Sequence, residues 1–187
     1  MTSPILFAMD LERRHFTQLA RYNRSVNRAL VESLLQLPAG TLVEPRGAYF
    51  RSIQGILDHL ITCDINWLRR FRELFPDAEP LSRPRLAPAG HAWKNFSFPD
   101  FAEFRRERTV VDDLFVDWIA LADVSRFGEV LSYRDSHDKP LRYFFRDALS
   151  HVFNHQTHHR GQLSQILDEL EIEHDWSNLI GVAEIPQ

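Results

Sequence analysis

With 187 residues, 44% of them hydrophobic and 26% charged, the chain is long enough to bury a substantial core and points to one domain spanning residues 1–187. A formal charge of -4, from 22 Lys plus Arg against 26 Asp plus Glu with no long basic run, lacks the electrostatic footprint of a nucleic-acid binder. The single cysteine excludes an intrachain disulfide framework, the apolar amino-terminal run is too short and unflanked to be a secretion signal, and no run approaches a membrane span, so a soluble cytoplasmic protein is expected.

Helical periodicity begins at once. Over residues 10–37, Leu11, Phe16, Leu19, Tyr22, Val26, Leu30, Leu34 and Leu37 recur at helical spacing, with Asp10 placed to cap the start and Pro38-Ala39-Gly40 to stop the run. Tyr22, Asn23 and Asn27 lie on or beside that apolar side. They read either as an ordinary half-exposed flank or as groups facing a site in the core. Residues 41–48 form a connection. A second helix is predicted over residues 49–75, with Tyr49, Ile53, Ile56, Leu60, Trp67, Phe71 and Leu74 as its apolar face and Pro76 ending it. His59 sits beside this stripe; alone it reads as a hydrogen-bonded surface or core histidine, and only partners elsewhere would make it a ligand. Cys63, one turn later, is an alternative ligand or a small buried hydrophobe.

The connection over residues 76–99 contains Pro76, Pro80, Pro84, Pro88 and Pro99, and is expected to be a long extended loop able to roof a pocket. A third helix should start near residues 97–99 and run to Ala122, burying Phe101, Phe104, Val111, Leu114, Phe115, Trp118 and Leu121, with Arg105-Arg106-Glu107-Arg108 as a solvated flank. Val130-Leu131-Ser132-Tyr133 and Leu141-Arg142-Tyr143-Phe144 then bracket a polar turn and predict a small hairpin leaning on the helices, with Pro140 at an edge position. A fourth helix is expected over residues 143–170, and the tail from Glu171 to fold back over the bundle or a neighbour. Four long amphipathic helices predict an all-α four-helix bundle, in which metal sites are built from side chains on facing helices; the long connections leave room for crossovers.

The fourth helix carries the chain's most distinctive stretch. On a helical wheel Phe144, Ala148, His151, His155, His159, Gln162 and Ile166 share one sector, so imidazoles interrupt the face expected to be core. Each buried ring brings a donor and an acceptor that both need partners, and a divalent metal satisfies several rings together. Histidines at i and i+4 lie one turn apart and can converge on one ion. A histidine pair on this helix makes His59 a stronger candidate for a further ligand, since catalytic sites of the zinc type usually take three protein ligands. His151 and His158 read as groups around the site or on the surface.

Several of these residues resemble a known family. Tyr22-Asn23-Arg24 with Asn27, the segment Ser52-Ile53-Gln54-Gly55-Ile56-Leu57-Asp58-His59-Leu60 followed by Asp64 and Trp67, and above all Asn154-His155-Gln156-Thr157-His158-His159-Arg160-Gly161-Gln162 resemble the DinB family, related to YfiT-like proteins and thiol-dependent S-transferases and distinct from the DNA polymerase of similar nickname. The similarity runs over nearly the whole chain. It implies a four-helix bundle with a three-histidine metal site at His59, His155 and His159, and frequent homodimers. An aromatic content of 12% and the apolar tail around Trp176, Leu179, Ile180 and Val182 point the same way on the dimer. The chain departs from many relatives at Val26, where they carry Trp, and at Cys63, where they carry a small apolar residue.

Three neutral imidazoles would leave a divalent ion, zinc or nickel by ligand preference, strongly Lewis acidic and able to activate water or a thiol. No HExxH pattern supplies a metalloprotease base, because Gln156 follows His155. The resemblance therefore implies a metal-dependent transferase using a low-molecular-weight thiol such as mycothiol, bacillithiol or glutathione, or a related transfer or hydrolysis on a small molecule. The alternative class is a non-enzymatic metal-binding or stress-response bundle whose ion is structural or sensory. The plainest reading gives the histidines no metal at all.

Overall fold

The structure, a computed structural model, describes residues 4–47, 49–82, 96–135 and 137–182. Four helices dominate: α1 (Pro4–Leu34), α2 (Ile53–Leu74), α3 (Phe101–Leu121) and α4 (Phe145–Glu169); a hairpin of β1 (Val130–Arg134) and β2 (Pro140–Phe144) precedes α4. Among the described residues no helix is long and apolar enough to cross a membrane.

Helix starts differ from the sequence expectation where capping chemistry decides them. Asp10 does not cap α1 but lies within it, and the helix ends at Leu34, three residues short of the expected stop. At α2, Arg51 takes a left-handed backbone (φ 68°) and Ser52 becomes the cap, its hydroxyl oxygen accepting from Gly55 N–H at 3.1 Å. Tyr49 and Phe50 therefore stand ahead of the helix, not on its face. Gly55 permits this: a Cβ there would lie 2.1 Å from the Phe50 carbonyl oxygen, so only glycine lets the preceding turn fold against the first turn of α2. Asp100 caps α3 through Ala102 N–H at 2.9 Å.

Side-chain pairings give the topology. Phe71 and Phe75 at the end of α2 meet Trp118 at the end of α3, while Gln54 at the start of α2 donates to the carbonyls of Phe98 and Pro99 just before α3. These two helices are parallel, and the connection between them must return the length of the bundle. Phe98 N–H also donates to Asp58 at 2.9 Å, and Glu79–Ser82 forms a short 3-10 turn with Pro80 and Leu81 buried. Residues 83–95, the middle of the expected proline-rich loop, lie outside the described residues. Asn23 and Asn27 reach Asp112, Phe16 reaches Phe127, and Arg146 pairs with Glu12, so α1 runs antiparallel to α3 and parallel to α4. In turn α1 and α2 each pack on both α3 and α4 and occupy opposite corners. Long connections thus make a crossover bundle.

One aromatic cluster closes the lower core: Phe71, Phe75, Trp118, Phe127 and Phe145 contact one another at ring separations of 4.9–5.8 Å. The hairpin pairs Val130 with Phe144 through to Arg134 with Pro140, which puts the proline at the ladder's end where its missing N–H costs nothing. Asp135 holds the turn by accepting from the backbone N–H groups of His137 and Lys139. The tail folds back on its own bundle: Trp176 packs against the core, its carbonyl accepts from Tyr22, and His174 bonds Ser164.

The buried face of α4 is not centred on the histidine stripe. Leu149, Val152, Phe153, Gln156, Arg160, Leu163 and Leu167 fill the core, while Phe144 and His151 are exposed, His155 is half-buried and His159 is buried. The imidazoles run along the rim of the core, where α4 packs against α2.

Candidate metal centre

His59 comes from the second turn of α2, and His155 and His159 from successive turns of α4, which packs antiparallel on it. The antiparallel register follows from pairs further along: Phe71 meets Phe145 and Asp64 meets Gln156. His155 Nε2 lies 3.0 Å from His59 Nε2 and 3.1 Å from His159 Nε2. All three donor atoms fall within 4.8 Å of one another, a group that could hold a metal ion. Phe50, placed by the turn that Gly55 permits, stacks on the His59 ring at 4.0 Å and meets His159 edge-on at 5.2 Å, limiting how either ring can rotate.

Protonation tests the fit. The Gln162 amide oxygen lies 2.7 Å from His159 Nδ1 and can only accept, so Nδ1 carries the hydrogen and neutral His159 turns a lone pair at Nε2 toward the other two rings. His155 Nε2 then faces two nitrogens with at most one proton of its own, so protons alone leave the three converging nitrogens incompletely paired. A cation taking all three lone pairs resolves the arrangement, and a neutral three-imidazole set suits a borderline divalent ion.

Burial and the neighbouring imidazoles hold the rings neutral. Burial first, then the charges of His159, His59, His151 and His158, lower His155 to about 3 from its ordinary 6.5. His159 is lowered too, chiefly by burial. Cys63 lies apart from the converging group, with Sγ 3.6 Å from His59 Nδ1; burial, aided by Asp64, pushes its thiol up to about 12, so it stays protonated. The His151 ring sits 5.9 Å from His155 and the His158 ring 4.8 Å from His159, both exposed and neither converging with the three.

The family model of the DinB family matches residues 11–180. The chain belongs to the DinB family. No curated protein matches it.

Beside the histidines, this DinB chain carries a buried polar network that the sequence reading did not assemble. Arg108, read there as part of a solvated flank, is only 4% exposed and bridges Asp64 at 2.7 Å and Asp112 at 2.8 Å, both 1% exposed. Asn27 donates to Asp112 at 2.9 Å, Asn23 at 3.3 Å, and Arg160 donates to Asn23 and to Gln156. The two asparagines are therefore neither a half-exposed flank nor groups around the histidines; they satisfy this network. Burial raises Asp64, and raises Asp112 to about 6 with Arg108 acting against it. Gln156 donates to Asp64, joining the two histidine-bearing helices one residue after His155, so the network fixes the spacing of the candidate site without touching it. The signal was present in the sequence: Arg108 and Asp112 interrupt the Phe104, Val111, Phe115 stripe one turn apart. On the far side, Arg108 and Asp112 also line a cleft of about 330 Å³ between α1 and α3. That cleft holds no converging metal donors among the described residues, so the candidate chemistry lies at the histidines.

The depressed histidines make the metal-free protein acid-sensitive. Above 6.5, His155 is neutral folded or unfolded; as pH falls from 6.5 toward 3 the unfolded chain takes a proton that the folded chain refuses, so stability declines through that window. Asp112 acts oppositely between 3.8 and 6, where the folded chain holds a proton the unfolded chain releases. Comparing chelated wild type with chelated His155→Gln cancels the Asp112 contribution. The variant's melting temperature is expected to fall less steeply between pH 6.5 and 4.5 than the wild type's; parallel curves would refute the neutral, buried assignment of His155.

Proposed function

We propose that this DinB protein is a metal-dependent enzyme acting on a small molecule, by thiol-dependent group transfer or a related hydrolysis, with His59, His155 and His159 holding one divalent ion, zinc or nickel. The observation that carries the reading is the convergence of three imidazole nitrogens from two helices, with His159 locked by Gln162 into the tautomer that ligation requires. When bound, the ion supplies Lewis acidity that lets a thiol or water react near neutral pH.

The chain's own residues set the rest. Phe50 packs on two of the rings and fixes their planes. Gln156 occupies the position where an HExxH protease carries its base, but it is fully buried and bonded to Asp64 and Arg160. It offers the site neither charge nor access, which favours transfer over peptide hydrolysis. Elemental analysis of protein prepared without chelator is expected to give one divalent ion per chain, lost when His59, His155 and His159 are replaced together. A loaded screen with low-molecular-weight thiols then tests the reaction class. Protein that stays metal-free under saturating zinc and nickel would sink the reading.

A further inference from the structure

The seam between α2 and α4 continues past the histidines. His59, Cys63, Trp67 and Arg70 follow one another along one side of α2, facing His159, His155 and His151 on α4. The His151 ring lies 5.9 Å from His155 and 5.5 Å from Trp67; Trp67 lies 5.5 Å from Tyr133, which β1 brings against α2. The guanidinium of Arg70 closes this row, 4.6 Å from the Trp67 ring and 4.2 Å from the Tyr133 ring. Such cation–π packing holds the group in place at a half-buried position. Yet Arg70 forms no hydrogen bond or ion pair with any described residue, although the buried arginines of the core are all paired. Burial lowers its pKa, and Glu73, an acidic group on its own helix, forms no ion pair with it. A fixed, partly desolvated guanidinium with free donors is suited to a planar anion.

We propose that Arg70 binds a carboxylate group of an organic ligand whose reacting end lies at the three histidines. The proposal rests on the metal reading above and adds the ligand's charge and length. The guanidinium is level with Trp67, eight residues beyond His59, which places the anion about 12 Å along α2 from the metal donors. Trp67, Tyr133 and His151 form a row of contacting rings along the intervening stretch. The hairpin thereby gains a purpose beyond packing, since it supplies Tyr133.

The test uses cobalt-loaded full-length protein, whose visible spectrum reports thiol binding at the ion, titrated with mercaptooctanoate, mercaptooctanol, mercaptopropionate and mercaptoethanol. Wild type is expected to bind mercaptooctanoate about tenfold more tightly than mercaptooctanol, the scale of one charge-assisted contact. The short pair, unable to reach Arg70, should show no comparable preference, and Arg70→Gln should abolish the preference of the long pair while leaving cobalt stoichiometry and mercaptooctanol affinity unchanged. A wild type without the long-chain preference, including one that binds neither long thiol, overturns the proposal with no variant needed. So does an equal preference in the short pair, or a preference that survives Arg70→Gln. Failure of cobalt to bind at all is read from stoichiometry before any thiol is added, and counts against the metal site and the Arg70 proposal together.

Discussion

Arg108→Ala is expected to destabilise the protein by about 3–5 kcal/mol, the range for breaking a buried ion pair by removing one partner. Asp64 and Asp112 are almost wholly buried, and Arg108 is their shared cation at 2.7 and 2.8 Å. Truncation leaves two desolvated carboxylates, one from α2 and one from α3, with Asn27, Asn23 and Gln156 donating to them but no direct cation. Arg160 reaches Asn23 and Gln156, not the carboxylates. One or both must then take a proton or repel the other. Urea unfolding of wild type and variant at pH 7 measures the loss, and a change below about 1 kcal/mol would mean that the network is solvated. Adding Asp64→Asn and Asp112→Asn to Arg108→Met should recover much of the loss, because neutral groups need no buried cation.

The same residues show what was legible beforehand. Helical periodicity marked the four helices because each buries one face, and the pattern of buried faces is written in residue spacing; the hairpin was legible instead from two short apolar and aromatic runs bracketing a polar turn. The metal candidates were legible for a different reason: an i, i+4 histidine pair has few other uses on a helix, and His59 joined it through the family motif. Helix starts were less legible. The first turn of α2 depends on a left-handed Arg51 and on the contact that Gly55 allows, neither of which periodicity encodes. Arg108 was misplaced because the three residues before it, Arg105, Arg106 and Glu107, are also charged and the run was read as a unit, although a helix turns successive residues through about 100° and sends one of them inward. The histidine stripe was shifted for the converse reason. Aligning it with Phe144 and Ala148 made it the core face, whereas the core is centred on Val152, Gln156 and Leu163 and the imidazoles stand at its rim.

That position at the rim bears on whether the ion would serve chemistry or folding. His159→Ala is expected to weaken divalent-metal binding on the order of a hundredfold or more, since loss of even a group behind a ligand costs 10–100-fold. It is also expected to abolish any thiol-transfer or hydrolytic activity of the wild type. The bundle should nevertheless remain folded. Its core joins Phe16, Leu68, Phe71, Phe115, Trp118, Phe145, Leu149 and Leu163 from all four helices and uses none of the three histidines. Removing the His159 ring leaves Gln162 free to turn to solvent and relieves one of two close nitrogen contacts at His155, so the cost in the chelated state should stay within the common range of about 0.5–3 kcal/mol. A structural ion behaves otherwise, because its binding free energy is part of the folding free energy and chelation alone unfolds the chain. Melting curves and an activity screen on wild type, chelated wild type and His159→Ala separate the two. A catalytic site gives three folded samples, of which only the first is active; a chelated wild type already unfolded at room temperature would assign the ion to the fold.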